Sequence, residues 1–175
     1  MDLIKVGTSR WGSEIAFSLC RHVPRRTAYK IGDLIAKKLS VQEGIPFVEA
    51  LRENLQVVLN LSRDDGRIDP AVYQLLKNTM AGYIDLFCVL HRQQEASCMI
   101  EADLELMLLF ERCLESRRGL VLVGTHTCGF GLGMLGMLEL LPSVQILSNS
   151  NPQGSSIVMN DLRKRKGLLI TPISR

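Results

Sequence analysis

Apolar residues recur every three or four positions along the first two thirds of the chain, the period of a helix with one apolar face. Pro24 suits a first helical turn, and Ala28, Ile31, Leu34, Ile35 and Leu39 follow it as a stripe, with Arg25, Arg26, Lys30, Lys37 and Lys38 off it. The pattern predicts an amphipathic helix. Gly44 breaks the period and Pro46 restarts it, with Phe47, Leu51, Leu55 and Val58 on one predicted face up to the polar turn Arg63-Asp64-Asp65-Gly66. Asp69-Pro70 reads as N-cap and first residue of a long helix through Val72, Leu76, Met80, Tyr83, Phe87 and Leu90. Asp103 is positioned to cap another, running to Arg117-Arg118 and stopped by Gly119.

After Gly119 the pattern changes. Leu120-Val121-Leu122-Val123 is a short continuous apolar run, as in a fully buried parallel strand, and a loop from Thr125 to Phe130 follows. Leu132 to Leu141 then reads as a buried helix ended by Pro142, Val144 to Leu147 as a second strand, Ser155 to Lys166 as a helix, and Leu168 to Thr171 as a third strand. Strand, helix, strand, helix, strand predicts an α/β fold: a helical N-terminal part over residues 1–118, and a mostly parallel sheet with flanking helices beginning at 119–175. Between Arg118 and Glu139 no residue is charged, a stretch long enough to span a bilayer, but its six glycines with Thr125, His126 and Thr127 argue against a membrane helix.

With 175 residues, 46% of them hydrophobic and 22% charged, the chain buries enough surface for one domain, which excludes disordered and disulfide-scaffold classes. Five widely spaced cysteines, never in Cys-x-x-Cys pairs, argue for reduced thiols and against structural zinc. Ile15 to Cys20 is too short for a signal-peptide core or a membrane span. The net charge of +3 hides a division: residues 1–40 carry eight basic and three acidic side chains, 41–120 eight and thirteen, and 121–175 five and two. A basic, amphipathic N-terminal segment suits an anionic lipid surface, and an ordinary solvated helix face explains the same charges. Nucleic-acid binding would bring a stronger excess and more than nine aromatics.

Gly131-x-Gly133-x-x-Gly136 matches the dinucleotide fingerprint as a string, but seven residues separate it from Val123 and no acid stands near position 151. Small residues for close helix packing explain it better. His126 falls just beyond the first predicted strand, where open α/β sheets place catalytic groups. Cys128, two residues on, reads as structural because neighbours in an extended loop point apart. His22 stands without companions, and His91 with Cys88 offers two of the four ligands zinc takes. In Arg163-Lys164-Arg165-Lys166, helical geometry puts Arg163 and Lys166 on one face and the middle pair elsewhere; cations in a last turn also offset the helix dipole.

In this order the blocks resemble the bacterial lipid A biosynthesis acyltransferases, the lauroyl and myristoyl transferases that use acyl carrier protein thioesters. His22-Val23-Pro24-Arg25-Arg26 with Tyr29, Gly32, Asp33 and Ala36 is similar to that family's basic N-terminal helix, and Arg52-Glu53-Asn54-Leu55 to its Arg-x-Asn-Leu helix. Arg118 to Val123 leading into His126 resembles the strand presenting its catalytic histidine, and Asn151-Pro152 with Arg163 and Gly167 its downstream block.

The resemblance implies His126 as general base on a sugar-lipid hydroxyl, in a motif H-x-x-x-x-D/E whose acid would orient the imidazole. Here the acid position is Gly131. Glu139 lies eight residues further, about 12 Å along a helix at 1.5 Å per residue, and Asp161 is a stand-in whose commoner fate is an ion pair within its own helix. Arg163 matches an arginine suited to phosphate or a developing oxyanion. The implied partners are acyl carrier protein or acyl coenzyme A as donor, a lipid or glycolipid acceptor and an anionic membrane surface, at the cytoplasmic face of the inner membrane. No cofactor, metal or nucleic acid is implied. The family continues beyond the position of Arg175, so the expected sheet is incomplete. A catalytically silent lipid- or acyl-chain-binding relative and a nucleotide-binding enzyme are the rival readings.

Overall fold

The structure is a computed structural model that describes residues 9–92, 96–99, 101–123, 129–141 and 143–173. Its elements, in chain order, are α1 (Arg10–His22), α2 (Arg25–Ser40), α3 (Pro46–Leu59), α4 (Ile68–Arg92), a 3-10 turn (Ala96–Met99), α5 (Leu104–Glu115), α6 (Phe130–Leu140), β1 (Gln145–Asn149), α7 (Ser155–Arg165) and β2 (Leu169–Ile173). The fold is mixed α/β, mostly helical, with β1 and β2 as a two-stranded parallel sheet. Residues cluster into two compact units: Phe17–His91, and the described residues on either side of it. Among the described residues no helix is long and apolar enough to cross a membrane.

Within the unit Phe17–His91, α2 and α4 run antiparallel, because Arg25 bonds to Asp85 while Asp33, two turns later, meets Tyr73 and Lys77. The α2 face turned to α4 is built from small residues. Ala28, Gly32 and Ala36 are buried at successive four-residue steps, followed by Leu39 and Ser40. A Cβ on Gly32 would lie 3.1 Å from Ile84 Cδ1 and 3.2 Å from Met80 Cβ, so glycine here permits the close approach of the two helices. This corrects the expected stripe: Ala28 and Leu39 are inside, whereas Ile31, Leu34 and Ile35 are exposed. A close helix crossing selects side-chain size at the contact, and the bulky residues are displaced to the flank and the outer side. On α3 the buried residue is Val48, while Phe47 and Val58 of the predicted face are exposed.

The long helix starts at Ile68, one residue before the expected cap, and buries Ile68, Val72 and Leu76 at four-residue steps. Further along, Leu86 to Leu90 are all buried, and Phe17 meets Phe87 edge-on at 5.5 Å. Its predicted Tyr83 is instead exposed.

In the other unit, Asp103 caps α5 as expected, accepting the Glu105 N–H at 2.8 Å. The helix ends earlier than expected. Arg117 takes the left-handed conformation (φ 52°), with Arg117 N–H donating to Leu114 O and Arg118 N–H to Cys113 O, a Schellman cap completed before Gly119 is reached. Leu120–Val123 is not the expected buried strand. Residues 119–123 are irregular, with Val121 86% and Val123 92% exposed. A strand exists only where a neighbour completes its ladder, and the described ladder joins β1 to β2 alone.

The expected helix after that loop is α6, which packs on the 3-10 turn and buries Leu135. The second and third expected strands are β1 and β2, joined through α7 in register from Gln145↔Leu169 to Asn149↔Ile173. Gly167 (φ 93°) closes α7 with a second Schellman cap, Gly167 N–H to Lys164 O and Leu168 N–H to Arg163 O, which buries Leu168 and starts β2.

Candidate functional site

The β1–α7–β2 unit gathers polar groups near the carboxyl end of β1, the end at which open α/β sheets bind ligands. Ser148 Oγ accepts a hydrogen bond from Asn160 Nδ2 at 3.1 Å, and Asn160 is buried. A buried amide in that position keeps α7 in one register over the strand, since sliding would orphan it. Past β1, the Asn149 side chain accepts the Asn151 N–H at 3.0 Å, and Gly154 enters α7 with φ 54° and ψ −125°, a conformation that glycine adopts without strain.

Arg163 lies one helical turn beyond Asn160, in the last turn of α7, where its carbonyl accepts the Leu168 N–H at the start of β2, so it sits toward the amino end of the strands and not at the carboxyl end of β1. It is half-buried with its Nε inside the fold, as is Lys166 in part, while Lys164 and Arg165 are exposed. The division of the basic run into two faces thus stands as the helical geometry requires. A guanidinium held in this way offers fork-shaped donors to a phosphate or an oxyanion.

His126 and Cys128 lie outside the described residues. Gly131 is half-buried in the first turn of α6, and its backbone is helical. The whole Gly131-x-Gly133-x-x-Gly136 string lies inside α6 rather than in a strand-to-helix turn, so it has no phosphate-cradling geometry. Gly136 is buried, whereas a Cβ on Gly133 would meet nothing within 4 Å, so close packing does not explain Gly133. Asp161 is exposed on α7. Sequence reasoning missed Ser148 and Asn160; the available signal was an asparagine set among the apolar residues Val158, Met159 and Leu162.

The N-terminal residues that carry the resemblance hold the other unit together. Arg25 Nε donates to Tyr29 Oη at 2.8 Å and to Asp85 Oδ1 at 2.9 Å, and the Tyr29 hydroxyl donates to the same carboxylate. Burial, aided by the Asp85 acceptor, pushes the Tyr29 phenol up, so it stays protonated and keeps donating. Two turns further along α2, the Tyr73 hydroxyl donates to Asp33 at 2.6 Å and Lys77 Nζ lies 3.3 Å away; the Tyr73 bond, then Lys77, holds the Asp33 carboxyl below its usual range. Arg52 is the third lock. It donates to the carbonyls of Ser40 (2.7 Å) and Gln42 (3.1 Å), to Glu49 (2.8 Å) and to Asp69 (3.0 Å), tying the ends of α2, α3 and α4 together.

Comparison with family models, curated proteins and solved structures finds no match to this chain.

Proposed function

We propose that this chain is an acyltransferase-like protein of the lipid A biosynthesis type, working peripherally at the cytoplasmic face of the inner membrane. It moves a fatty acyl chain from a thioester of acyl carrier protein or coenzyme A to a lipid or glycolipid hydroxyl. The supporting observation is the half-buried Arg163 on α7, set apart from exposed Lys164 and Arg165, at the position where the resemblance implies an anion ligand. In this reading the His126 imidazole removes the acceptor hydroxyl proton as the oxygen attacks the thioester carbonyl. The C–S bond breaks as the tetrahedral intermediate collapses, an ester C–O bond remains, and the imidazolium returns its proton to the departing thiolate. Arg163 stabilises phosphate or the developing oxyanion.

The test is transfer of labelled acyl chain from acyl carrier protein to a lipid acceptor by the full chain. His126→Ala should abolish transfer, and Arg163→Ala should raise the acceptor KM well above Lys164→Ala or Arg165→Ala. Equal effects of the three would make the run a diffuse patch. Gly131 favours a second reading, a catalytically silent lipid-binding relative, because the position of the acid is empty of a carboxylate. Its helical backbone accepts a side chain without left-handed strain, and an acid in a first turn meets the positive end of the helix dipole. Gly131→Glu should therefore raise transfer in a His126-dependent way; retained lipid without transfer by parent and variant alike would select the silent relative.

A further inference from the structure

We infer that the outward face of α2 is a docking surface for anionic lipid headgroups. The proposal rests on the membrane-surface part of the function proposed above and names the element that makes the contact. Ile31 and Ile35 fall in one row of the helix surface, and Lys30, Leu34 and Lys38 in the adjacent one, following the four-residue steps of helical ridges. All five are exposed, with Leu34 at 67%, and exposed Arg26 and Lys37 flank them. The one acid on α2, Asp33, is engaged by Tyr73 and Lys77 on α4. The outward side thus carries Lys30 and Lys38 with flanking Arg26 and Lys37 and three large apolar side chains, and the one carboxylate near it is Asp33, 40% exposed on the flank beside Lys37.

This composition selects the occupant. Apolar residues buried at the acyl boundary with lysine stems reaching up to phosphates satisfy both kinds of group at once on an anionic bilayer. A nucleic acid would satisfy the cations and leave Ile31, Leu34 and Ile35 against phosphate. A second copy presenting the same face would bring like charges together.

The experiment is flotation of the full chain with phosphatidylcholine vesicles, with and without one part in three of phosphatidylglycerol, at low and high salt. The protein should float with the anionic vesicles at low salt and be released by salt or by omission of phosphatidylglycerol. Lys30→Gln with Lys38→Gln should weaken partition about thirtyfold, at about fivefold per cation near such a surface. Leu34→Ser should weaken it at unchanged charge, and Lys164→Gln with Arg165→Gln, equally exposed cations elsewhere, should leave it unchanged. Circular dichroism checks that each variant folds. Equal recovery on neutral vesicles, equal loss in the Lys164/Arg165 control, a salt-sensitive complex with single-stranded DNA in place of vesicles, or a dimer in sedimentation that Leu34→Ser dissociates would each overturn the proposal. Flotation needs neither donor nor turnover. A chain that floats without transferring acyl groups refutes the enzyme reading alone, and one that acylates a detergent-dispersed acceptor yet stays at the bottom of the gradient refutes the docking face alone.

Discussion

Removing Arg52 should cost more than its place among charged residues implies. Its side chain is 13% exposed, and its donors reach the backbone carbonyls of Ser40, the last residue of α2, and Gln42, two residues beyond it, besides the carboxylates of Glu49 and Asp69. The four contacts differ in value. Asp69 is 58% exposed, so that pair contributes about 0–1 kcal/mol. Hydrogen bonds from a charged donor to partly buried carbonyls contribute about 1.5–3 kcal/mol each, though two on one guanidinium do not add fully. Arg52→Ala should therefore destabilise the chain by about 3–4 kcal/mol, which for a chain of this size lowers Tm by about 6–15 °C. Arg52→Lys keeps the charge but concentrates its donors on one atom, which cannot serve carbonyls and carboxylates lying in different directions, so about 2 kcal/mol should still be lost. Urea titration followed by circular dichroism measures both. A loss below about 1 kcal/mol for the alanine variant, the range of an ordinary surface pair, would refute the hub. A lysine variant equal to the parent would show that charge, not the forked geometry, is what matters.

At Gly32, alanine gains about 1 kcal/mol of helix propensity but crowds the α2–α4 contact at about 1–3 kcal/mol, because Met80 Cβ is fixed to the α4 backbone; thermal melts should show Gly32→Ala less stable by about 1 kcal/mol, and a gain would mean the helices part at no cost. Arg117 closes the α5 cap with φ 52°, so Arg117→Gly should stabilise by about 1 kcal/mol in urea titration, whereas Gly119→Ala should change nothing at the cap. Arg67 side-chain bonds to both Asp65 oxygens, then the Arg67 N–H, hold the Asp65 carboxyl down from 3.8 to about 2. A depressed pKa adds stability that is complete above the ordinary value and lost as pH falls toward the lowered one, so Asp65→Asn should flatten the fall of the urea midpoint between 3.8 and about 2.

Local patterns were legible where the chain settles its own hydrogen bonds. The Asp103 cap, the restart of the helix at Pro46 and the β1–α7–β2 alternation each depend on neighbours a few residues away, and each appears where the sequence places it. Which face is buried depends on a partner far along the chain. Asp85, the partner of Arg25, lies 60 residues away, and nothing near Arg25 announces it. The buried face of α2 differs from the expected one because hydrophobicity ranks Ile31 and Leu34 above Gly32, whereas a close helix contact ranks them by size. The signal was present in the small residues Ala28, Gly32 and Ala36 at four-residue steps. Leu120–Val123 fails for a related reason: apolar composition states a preference for burial, but a strand is made by the ladder of its neighbour. Of the candidate site, helical geometry set Arg163 and Lys166 apart from Lys164 and Arg165 and only the resemblance singled out Arg163, while the Ser148–Asn160 bond joins residues on different elements and has no local signature.

The two faces of α2 bear on function. Small residues turned toward α4 and bulky ones turned outward are two consequences of one packing choice. That choice makes the outward face of α2 differ physically from a peptide of the same sequence. A detached amphipathic segment must order itself on arrival at a lipid surface, at a conformational cost of about 1–2 kcal/mol per residue. In α2 that order is already imposed by the Gly32 contact and by the Arg25–Asp85 and Asp33–Tyr73 bonds at its start and its middle. Lipid affinity should then depend on residues that never touch lipid: loosening the seam at Gly32 would lower partition even though every cation and every outward apolar residue remains in place.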